Sequence, residues 1–444
     1  MNGASVLVAG AGLAGLTTAR ELTKQGAAVT VIDARDRVGG RVLTERRPFL
    51  HRQHAEMGAD LIDESQTEIR TLIAALGLRT SWILRDGFTP MRQRGGRRRP
   101  GSTRAWQDFG KRLQREVRAL RLGEQRWDGG IAAALARESV AEWLDRIRAP
   151  GAIRDVATGL RGFFLADPAD LSLLALVDQF ADEGAPGSEK MFRVIGGNDR
   201  LPAALAKALG SRIHLRTILR RVTQTRTRVG VALESNGRLE HARFDYLVCA
   251  LPATTVRHLA FEPGLPELQR QATARIKYGA ATKTALQFNR PVWRVPGRPR
   301  AFGTPFSIGA VWDASEEQRG SILTLLAGGG ASAATRRLLA AGGPARLVRE
   351  MSWLNVKETE LAAWSSVSWE DEPWSRGGYA YFDPDYPPAL RYWLARPFGR
   401  VFFAGEHTSA RWQGYMNGAV ETGLRAAEEV AMTRSTIRTW PLLE

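Results

Sequence analysis

The pattern of hydrophobic and polar residues near both ends of the chain predicts strands and helices. The apolar run SVLVA is followed by LAGLTTARELTK, with apolar residues at helical spacing, and then by a second apolar run, AVTVI. Short apolar runs around an amphipathic helix are typical of a βαβ unit in a parallel sheet. Near the other end, RVFFAG predicts a buried strand. Alanine, leucine and valine then recur at helical spacing as far as Val430, which predicts an amphipathic helix that begins near Met416.

The middle of the chain predicts a second group of elements. TKTALQFN, SILTLLAG and GYAYF have the patterns of strands, and GSTRAWQDFGKRLQREVRALRL and SVAEWLDRI those of helices. RQRGGRRRP predicts two short strands around a Gly-Gly turn. We interpret this hairpin and the helix after it as solvated faces.

Composition limits the class of protein. The 444 residues are too many for one ordinary domain, and 44% of them are hydrophobic. No run of about 20 apolar residues is present, so we expect no transmembrane segment. The N-terminus leads directly into a strand without the features of a signal peptide. The single cysteine, Cys249, excludes an internal disulfide and lies in an apolar strand. We therefore expect a cytoplasmic protein.

The net charge of +17 is the unusual feature of the composition. Such a charge could attract nucleic acid or anionic lipid, or it could belong to an enzyme with a basic surface. No nucleic-acid-binding motif is present, so we favour the enzyme and expect no specific nucleic acid partner. The six histidines have no metal-ligand spacing, so we expect no metal.

A glycine motif lies between the first predicted strand and helix. Gly10 allows a tight turn, Gly12 lets the backbone approach a pyrophosphate, and Gly15 lets helix and strand pack closely. The pyrophosphate would lie at the helix N-terminus. Asp33 ends the second strand, where its carboxylate can accept hydrogen bonds from a ribose. Together these features predict a bound dinucleotide, without distinguishing NAD from FAD.

The residues that follow do distinguish them. ARDRVGGRVLT supplies flexible glycines and the cation Arg41, and AEMGADL supplies Glu56, Gly58 and Ala59. With the glycine motif, these segments resemble the FAD-dependent amine oxidase family of monoamine, polyamine and L-amino acid oxidases. The resemblance continues through VIGGNDRLPAALAKAL, DYLVCALPATT, RVFFAGEHT and RWQGYMNGAVETG.

The resemblance implies which residues hold FAD. The glycine of the family's final strand segment and its acidic neighbour are matched here by Gly405 and Glu406. The complete set of implied cofactor residues is Gly10, Gly12, Leu13, Ala14, Gly15, Asp33, Ala34, Arg35, Gly40, Arg41, Gly58, Ala59, Leu219, Gly405, Glu406, Gly414, Tyr415, Met416 and Ala419. Covalently flavinylated monoamine oxidases have a cysteine where this chain has Gly378, so we expect FAD to be bound non-covalently.

The resemblance also implies catalytic residues. Tyr415 and Tyr379 would form two aromatic walls between which the amine passes, with Tyr381 as the alternative to Tyr379. Lys283, ten residues before Trp293, matches the family lysine that reaches flavin N5 through a water, whereas Lys277 does not have this spacing. Trp369 would pack near Lys283. We interpret His407 as structural.

The implied reaction is oxidation of an amine by hydride transfer to flavin N5, followed by imine hydrolysis and by reoxidation with O2 to give hydrogen peroxide. The alternatives are an L-amino acid oxidase, a flavin dehydrogenase or desaturase, and a nucleic-acid or membrane-surface protein with structural FAD. We expect an amine without an α-carboxylate, because Asp60, Asp63 and Glu64 follow Ala59 where L-amino acid oxidases have an arginine. Arg92 or Arg161 could still supply such an arginine.

The predicted fold is α/β (α+β), a discontinuous Rossmann-like FAD-binding domain with an inserted substrate-binding domain of mixed sheet plus helices. The FAD-binding domain would comprise residues 1–75, 190–265 and 388–435. The substrate-binding domain would comprise residues 76–189 and 266–387, with a tail at 436–444. The expected partners are a small-molecule amine and O2, and we leave open a homodimer.

Overall fold

A computed structural model describes residues 1, 3–94, 97–182 and 190–436. The predicted Gly-Gly turn and most of the predicted tail therefore lie outside the described residues. No helix within these ranges combines the length and apolar character needed to cross a membrane.

A five-stranded parallel sheet joins the two ends of the chain. Its strands, in spatial order, are Ile213–His214, Ala28–Ile32, Ser5–Ala9, Tyr246–Cys249 and Val401–Phe403. They are nearly continuous apolar runs because the sheet is covered on both faces. The carboxyl ends of parallel strands meet at one edge of a sheet, where α/β proteins bind ligands.

Two helices from opposite ends of the chain pack together on this sheet. They are Leu13–Lys24 and Met416–Thr436, so the C-terminal helix begins where it was predicted to begin. A Cβ on Gly423 would lie 2.5 Å from the backbone oxygen of Ala14, which shows how closely the helices approach. The Thr18 hydroxyl donates to the carbonyl of Gly423 at 2.9 Å.

The other face of the parallel sheet is covered by a four-stranded sheet. This sheet contains Arg238–Phe244, Val229–Ser235, Thr217–Gln224 and Ala260–Glu262 in spatial order. Its apolar residues Leu219, Val222 and Val231 are buried against the parallel sheet. Cys249 is buried in the same cluster, and burial raises the pKa of its thiol to about 12, which fits the interpretation that it is inert.

A seven-stranded sheet forms the centre of the inserted region. Its order is Leu361–Ser368, Ala281–Phe288, Ile322–Gly328, Ala310–Asp313, Ala301–Gly303, Thr89–Arg94 and Arg97–Pro100. All eight residues of Ala281–Phe288 are buried, so both faces of this strand are covered by other parts of the protein. GYAYF, predicted as a strand together with TKTALQFN and SILTLLAG, does not join them in this sheet: Ala380–Tyr381 pairs with Lys277–Tyr278 in a separate ribbon.

Two smaller sheets connect these layers. Thr44–Glu45 pairs with Ala55–Glu56, and Met191–Val194 pairs with both Ile62–Asp63 and Thr80–Ile83. The second of these sheets crosses the domain boundary that we predicted after residue 75. The division into domains therefore stays a proposal, although the parallel and seven-stranded sheets each draw their strands from the predicted segments.

Helices pack around the sheets. The remaining α-helices are Thr67–Ala75, Thr103–Leu122, Gly130–Ala136, Val140–Arg146, Gly151–Gly159, Arg161–Phe164, Leu173–Asp182, Arg200–Leu209, Ala253–Val256, Glu267–Arg275 and Gly330–Arg349, the last interrupted at Gly342 and Gly343.

The helix Thr103–Leu122 was interpreted as solvated, and this is only half correct. Phe109, Leu113, Val117 and Leu120 are completely buried on one face. Their spacing of three or four residues places them on one side of the helix. Lys111 and the arginines are exposed, whereas Glu116 is buried and accepts a hydrogen bond from Trp143.

Candidate active site

A cavity of about 1240 Å³ extends from the carboxyl edge of the parallel sheet to the helices of the inserted region. One end is lined by backbone of the glycine motif and of the C-terminal helix. The other end is lined mainly by aromatic and aliphatic side chains. A long space with one backbone-lined end and one apolar end can hold an extended cofactor and a small ligand beside it.

The glycine motif forms the floor of the first end. A Cβ on Gly15 would lie 1.9 Å from the oxygen of Gly10, so helix and turn can pack only without a side chain there. A Cβ on Gly12 would have only the Cα of Gly40 within 4.0 Å. Gly12 therefore leaves open space beside the N-terminus of the helix Leu13–Lys24, where backbone N–H groups favour a phosphate.

Asp33 organises the rim of this floor. Its Oδ2 accepts a hydrogen bond from the backbone N–H of Ala11 at 2.8 Å, and its Oδ1 accepts one from that of Arg35 at 2.9 Å. Burial raises the pKa of Asp33, while these two N–H groups and the Arg35 cation oppose the rise. Two backbone donors thus orient a carboxylate that lines the cavity.

Arg41 and Glu406 tie together three segments around the middle of the cavity. Arg41 Nη1 donates to Glu406 Oε1 at 2.9 Å and to the carbonyl of Gly378 at 2.7 Å. The backbone N–H of Gly414 donates to Glu406 Oε2 at 2.8 Å. Sequence reasoning placed Arg41 and Glu406 near the cofactor, but did not predict that they pair.

The C-terminal helix enters the cavity through Gly414, whose φ of +86° favours glycine. A Cβ there would lie 3.3 Å from Cδ2 of Tyr379, so the ring of Tyr379 packs against the backbone next to Tyr415. Tyr379 donates its hydroxyl to the carbonyl of Phe163. The two predicted aromatic walls are therefore neighbours at the helix N-terminus. Tyr381 also lines the cavity.

Gln179 is a cavity residue that sequence reasoning missed. Its Nε2 donates to the hydroxyl of Tyr415 at 2.8 Å, which links the helix Leu173–Asp182 to the tyrosine. The ring of Trp412 meets that of Tyr415 edge-on, with centroids 5.9 Å apart. A glutamine on an amphipathic helix carries no signal that would identify it before the fold is known.

Lys283 lies on the cavity wall and is only 2% exposed. Its Nζ donates to Asp60 Oδ2 and to the carbonyl of Gly58, each at 2.9 Å. Trp369 lies on the neighbouring strand end, where its Nε1 donates to the carbonyl of Met57 at 2.9 Å. Lys277 is half exposed and pairs with Asp383 outside the cavity lining.

Of the three acidic residues expected to favour an amine without a carboxylate, Asp63 lines the cavity, whereas Asp60 and Glu64 are paired with cations. Asp60 is buried and accepts hydrogen bonds at Oδ1 from Arg193, with its Nε at 2.7 Å, in addition to the contact with Lys283. Glu64 pairs with Lys190 at the surface. Burial alone would raise the pKa of Asp60, but Arg193 and Lys283 hold it below its usual value. This carboxylate is already neutralised by two cations, so it offers no free charge to a substrate.

Every other predicted site residue except Gly15 also lines the cavity. Those not yet described are Leu13, Ala14, Ala34, Gly40, Ala59, Leu219, Gly405, Met416 and Ala419. Gly15 lies below the floor, where it serves packing. His407 is buried outside the lining, and burial lowers its pKa to about 4, which agrees with a structural residue.

The far end of the cavity combines an apolar wall with a polar helix face. Its lining includes Phe88, Leu160, Phe163, Phe164, Trp312 and Leu326. The exposed face of the helix Thr103–Leu122 adds Lys111, Gln114, Arg118 and Arg121 on one helical stripe. Sequence reasoning assigned this stripe to solvent, because an exposed face and a cavity wall have the same polar pattern.

The lining fits a dinucleotide with a planar ring system. The space beside Gly12 suits a pyrophosphate, Asp33 faces a sugar position, and the two tyrosines stand at the opposite end near a buried cation. No group of three or more His, Cys, Asp or Glu side chains in the described ranges could hold a metal. Fold and site together define a flavoprotein oxidoreductase.

Comparison with known proteins identifies the family. The model of the flavin-containing amine oxidoreductases matches residues 13–431. AofH of Mycobacterium tuberculosis, which is named as a flavin-containing monoamine oxidase, is 29% identical over 96% of each chain. Human flavin-containing amine oxidase B is 25% identical over 97% of this chain and 86% of its own.

Solved structures share the fold. Cyclohexylamine oxidase from Brevibacterium oxydans matches with a TM-score of 0.82 and 25% identity over 98% of this chain and 100% of its own. A putrescine oxidase double mutant matches with a TM-score of 0.84 and 24% identity over 97% and 99% of the two chains. The chain therefore belongs to the flavin-containing amine oxidoreductase family. It is an FAD-dependent amine oxidoreductase, and the predicted family and fold class are confirmed.

Proposed function

We propose that this enzyme oxidises an apolar amine without an α-carboxylate to an imine, which water hydrolyses, and that O2 is the final electron acceptor. The observation that carries the proposal is the tyrosine pair at the N-terminus of the C-terminal helix, facing an apolar cavity with a buried lysine in its wall. FAD would accept a hydride from the amine α-carbon and return two electrons to O2 as hydrogen peroxide.

The residues that line the cavity could hold FAD through non-covalent contacts alone. Gly12 and the helix N-terminus would hold the pyrophosphate, Asp33 the ribose, and Arg41 with Glu406 the middle of the cofactor. A side chain on Gly378 would lie 2.4 Å from Leu165 Cδ1, so the cysteine used by covalent relatives could not be placed here without a shift. We propose non-covalent FAD.

Tyr379 and Tyr415 would orient the amine. Their hydroxyls are held by Phe163 and Gln179, so the ring planes are fixed before a ligand arrives. Burial raises the pKa of Tyr379 well above its usual value, which keeps its hydroxyl protonated. The rings would thus supply apolar faces rather than charge, and such faces favour a desolvated, neutral amine.

Two arginines that could have bound a carboxylate do not line the cavity. Arg161 is committed to Asp167 at 3.2 Å and to the carbonyl of Pro305 at 3.0 Å, and Arg92 lies on the exposed hairpin. Near the tyrosines, the cation Lys283 is paired with Asp60. Arg118, Arg121 and Arg411 do line the cavity. The preference for an amine without an α-carboxylate therefore rests on the apolar lining around the tyrosines, which would desolvate a carboxylate.

The lining also favours a monoamine over a diamine. A second ammonium group would need an acceptor at the far end of the cavity. Asp178 lines it, but already pairs with Arg391 at 2.9 Å. Asp63 and Asp86 also line the cavity, but they share the lining with the cations Lys111, Arg118 and Arg121, which would repel a second ammonium group. We therefore expect cyclohexylamine or an arylethylamine to be a better substrate than putrescine.

An amine panel with peroxide detection tests this proposal. The matched pairs are tryptamine against L-tryptophan and phenethylamine against L-phenylalanine, with cyclohexylamine against putrescine as the third. We expect each first member to have the higher kcat/KM. An advantage of the amino acids by about tenfold, or roughly 1.4 kcal/mol in transition-state free energy, would contradict it. Reduction of the flavin without peroxide would show that O2 is not the acceptor.

A further inference from the structure

A buried chain of four charges ends at the cavity wall. Lys283 contacts Asp60 at 2.9 Å, Asp60 contacts Arg193 at 2.7 Å, and Arg193 Nη1 contacts Glu317 Oε2 at 2.7 Å. All four side chains are at most 6% exposed. The signs alternate, so the chain is neutral as a whole although no member is solvated.

We infer that Asp60 and Arg193 are positioning residues that keep Lys283 charged and aimed at the cavity, and thereby support reoxidation of the bound cofactor. The inference rests on the proposed function for the cofactor end of the cavity. The central claim of the inference is that Lys283 stays protonated. This charge state can be measured without an amine substrate.

Apart from Asp60, the surroundings of Lys283 would favour the uncharged form of its side chain. On the two flanking strands its register partners are Leu326 and Val367, which are apolar. Trp312 lies with its ring centroid 5.2 Å from Nζ. Burial lowers the pKa of Lys283, and Asp60 is the main group that opposes this. Without Asp60, we expect the pKa of Lys283 to fall further.

Arg193 makes Asp60 a dependable partner. It donates twice to Asp60 Oδ1 and leaves Oδ2 for Lys283, so each oxygen has its own cation. Glu317 and the carbonyl of Ala314, at 2.9 Å, occupy Arg193 Nη1. Arg193 is therefore anchored at both sides and cannot turn towards the cavity.

The other charged groups near Lys283 do not replace Asp60. Burial, with help from the Asp60 charge, raises the pKa of Glu56 to about 8, so Glu56 is mostly neutral at pH 7. His54 lies next to Glu317, and burial lowers its pKa, so it adds no charge at pH 7. Asp60 is thus the one anion in direct contact with Lys283 among the described residues.

The geometry leaves one N–H of Lys283 for the cavity. An ammonium group has three donors, and the carbonyl of Gly58 and the carboxylate of Asp60 take two. A held cation at this place would stabilise negative charge that develops on a ligand beside it.

The test is a pH titration of the FAD-loaded protein with labelled lysine side chains, read from Cε–Nζ correlation spectra. The chain has only seven lysines, and loss of one signal in Lys283→Met assigns the residue. We expect the protonation midpoint of Lys283 to fall by about one pH unit or more in Asp60→Asn. An unchanged midpoint would overturn the inference.

A matched control comes from the other Lys–Asp pair. Asp383→Asn removes the partner of half-exposed Lys277 by the same substitution, and Lys277 appears in the same spectra. We expect Asp383→Asn to leave the Lys283 midpoint where it is in the parent protein. A Lys283 shift in this variant as large as that in Asp60→Asn would show that the effect is indirect, and would overturn the inference.

A charge-balanced variant covers the case in which Asp60→Asn does not fold. Asp60→Asn/Arg193→Met removes one charge of each sign from the chain. The Lys283 midpoint should still lie below that of the parent, because Asp60 touches the lysine and Arg193 is one contact further away. A midpoint equal to the parent value would contradict the role of Asp60.

Reoxidation supplies the second readout. After chemical reduction, Asp60→Asn should react with O2 about tenfold more slowly than the parent at pH 8, and recover most of the rate at a pH below the new lysine midpoint. A loss that is the same at every pH would indicate a structural role only and overturn the inference. If instead no amine is oxidised but the lysine midpoint shifts, the proposed function fails and the inference about Lys283 survives.

Discussion

Tyr379 and Tyr381 belong to the same sequence motif, but their neighbours in the structure differ. Tyr379 packs on Gly414 and is fixed through Phe163, whereas Tyr381 belongs to the ribbon with Lys277. Both line the cavity, and they lie two residues apart, so sequence parity could not separate them. Their neighbours do: only Tyr379 adjoins the residue before Tyr415.

Alanine substitutions should separate the two tyrosines. We expect Tyr379→Ala to lower kcat/KM for the preferred amine by about tenfold or more, since it removes a wall that would orient the substrate; this corresponds to roughly 1.4 kcal/mol. Tyr381→Ala is the matched control and should have a clearly smaller effect. Steady-state kinetics on both variants decides the matter, and a larger loss in Tyr381→Ala would reverse the assignment.

At the level of elements, two helix N-termini converge on one cavity. The helices Leu13–Lys24 and Met416–Thr436 both begin at the cavity lining and pack against each other. The positive end of one faces the position for a pyrophosphate, and that of the other faces the position for the ring system. Glycines at their starts let the backbone come close.

Substitutions at two glycines of the motif should affect different properties, namely FAD affinity for Gly12 and stability for Gly15. Gly12→Ala places a Cβ in open space, so we expect a folded protein with weaker FAD binding. Gly15→Ala places a Cβ 1.9 Å from the Gly10 oxygen, so we expect a loss of stability of about 1–3 kcal/mol or more. Thermal unfolding and FAD titration measure the two effects. Equal stability of both variants would contradict the distinction.

Local patterns predicted the elements that follow local rules. The glycine motif, Asp33, the start of the helix at Met416 and the strand of Lys283 were all predictable, because turn sterics and hydrophobic spacing are written in neighbouring residues. The pairing of Asp60 with Arg193, residues 133 positions apart, was not. Nor was the contact of Gln179 with Tyr415. Such contacts depend on how helices and strands pack in three dimensions. The sequence alone does not show whether a polar residue faces water, another side chain or a cavity.

At the scale of the whole molecule, FAD would be held by distributed contacts rather than by a bond. The implied contacts come from both ends of the chain and from its middle, so they exist together only in the folded state. We expect acid or heat denaturation to release FAD into the supernatant, where its absorbance and fluorescence are measured. Flavin that stays with the precipitated chain would contradict non-covalent binding.

The order of strands in the parallel sheet has a consequence for biosynthesis. The strand Val401–Phe403 and the helix that follows it leave the ribosome long after the glycine motif, yet they complete a cradle that begins at Gly10. A nascent chain cannot hold the cofactor through the glycine motif and the final helix at once. We therefore expect flavin capture to wait until the helix Met416–Thr436 has been translated. A truncation before residue 400 should yield a polypeptide that is colourless however much flavin is supplied.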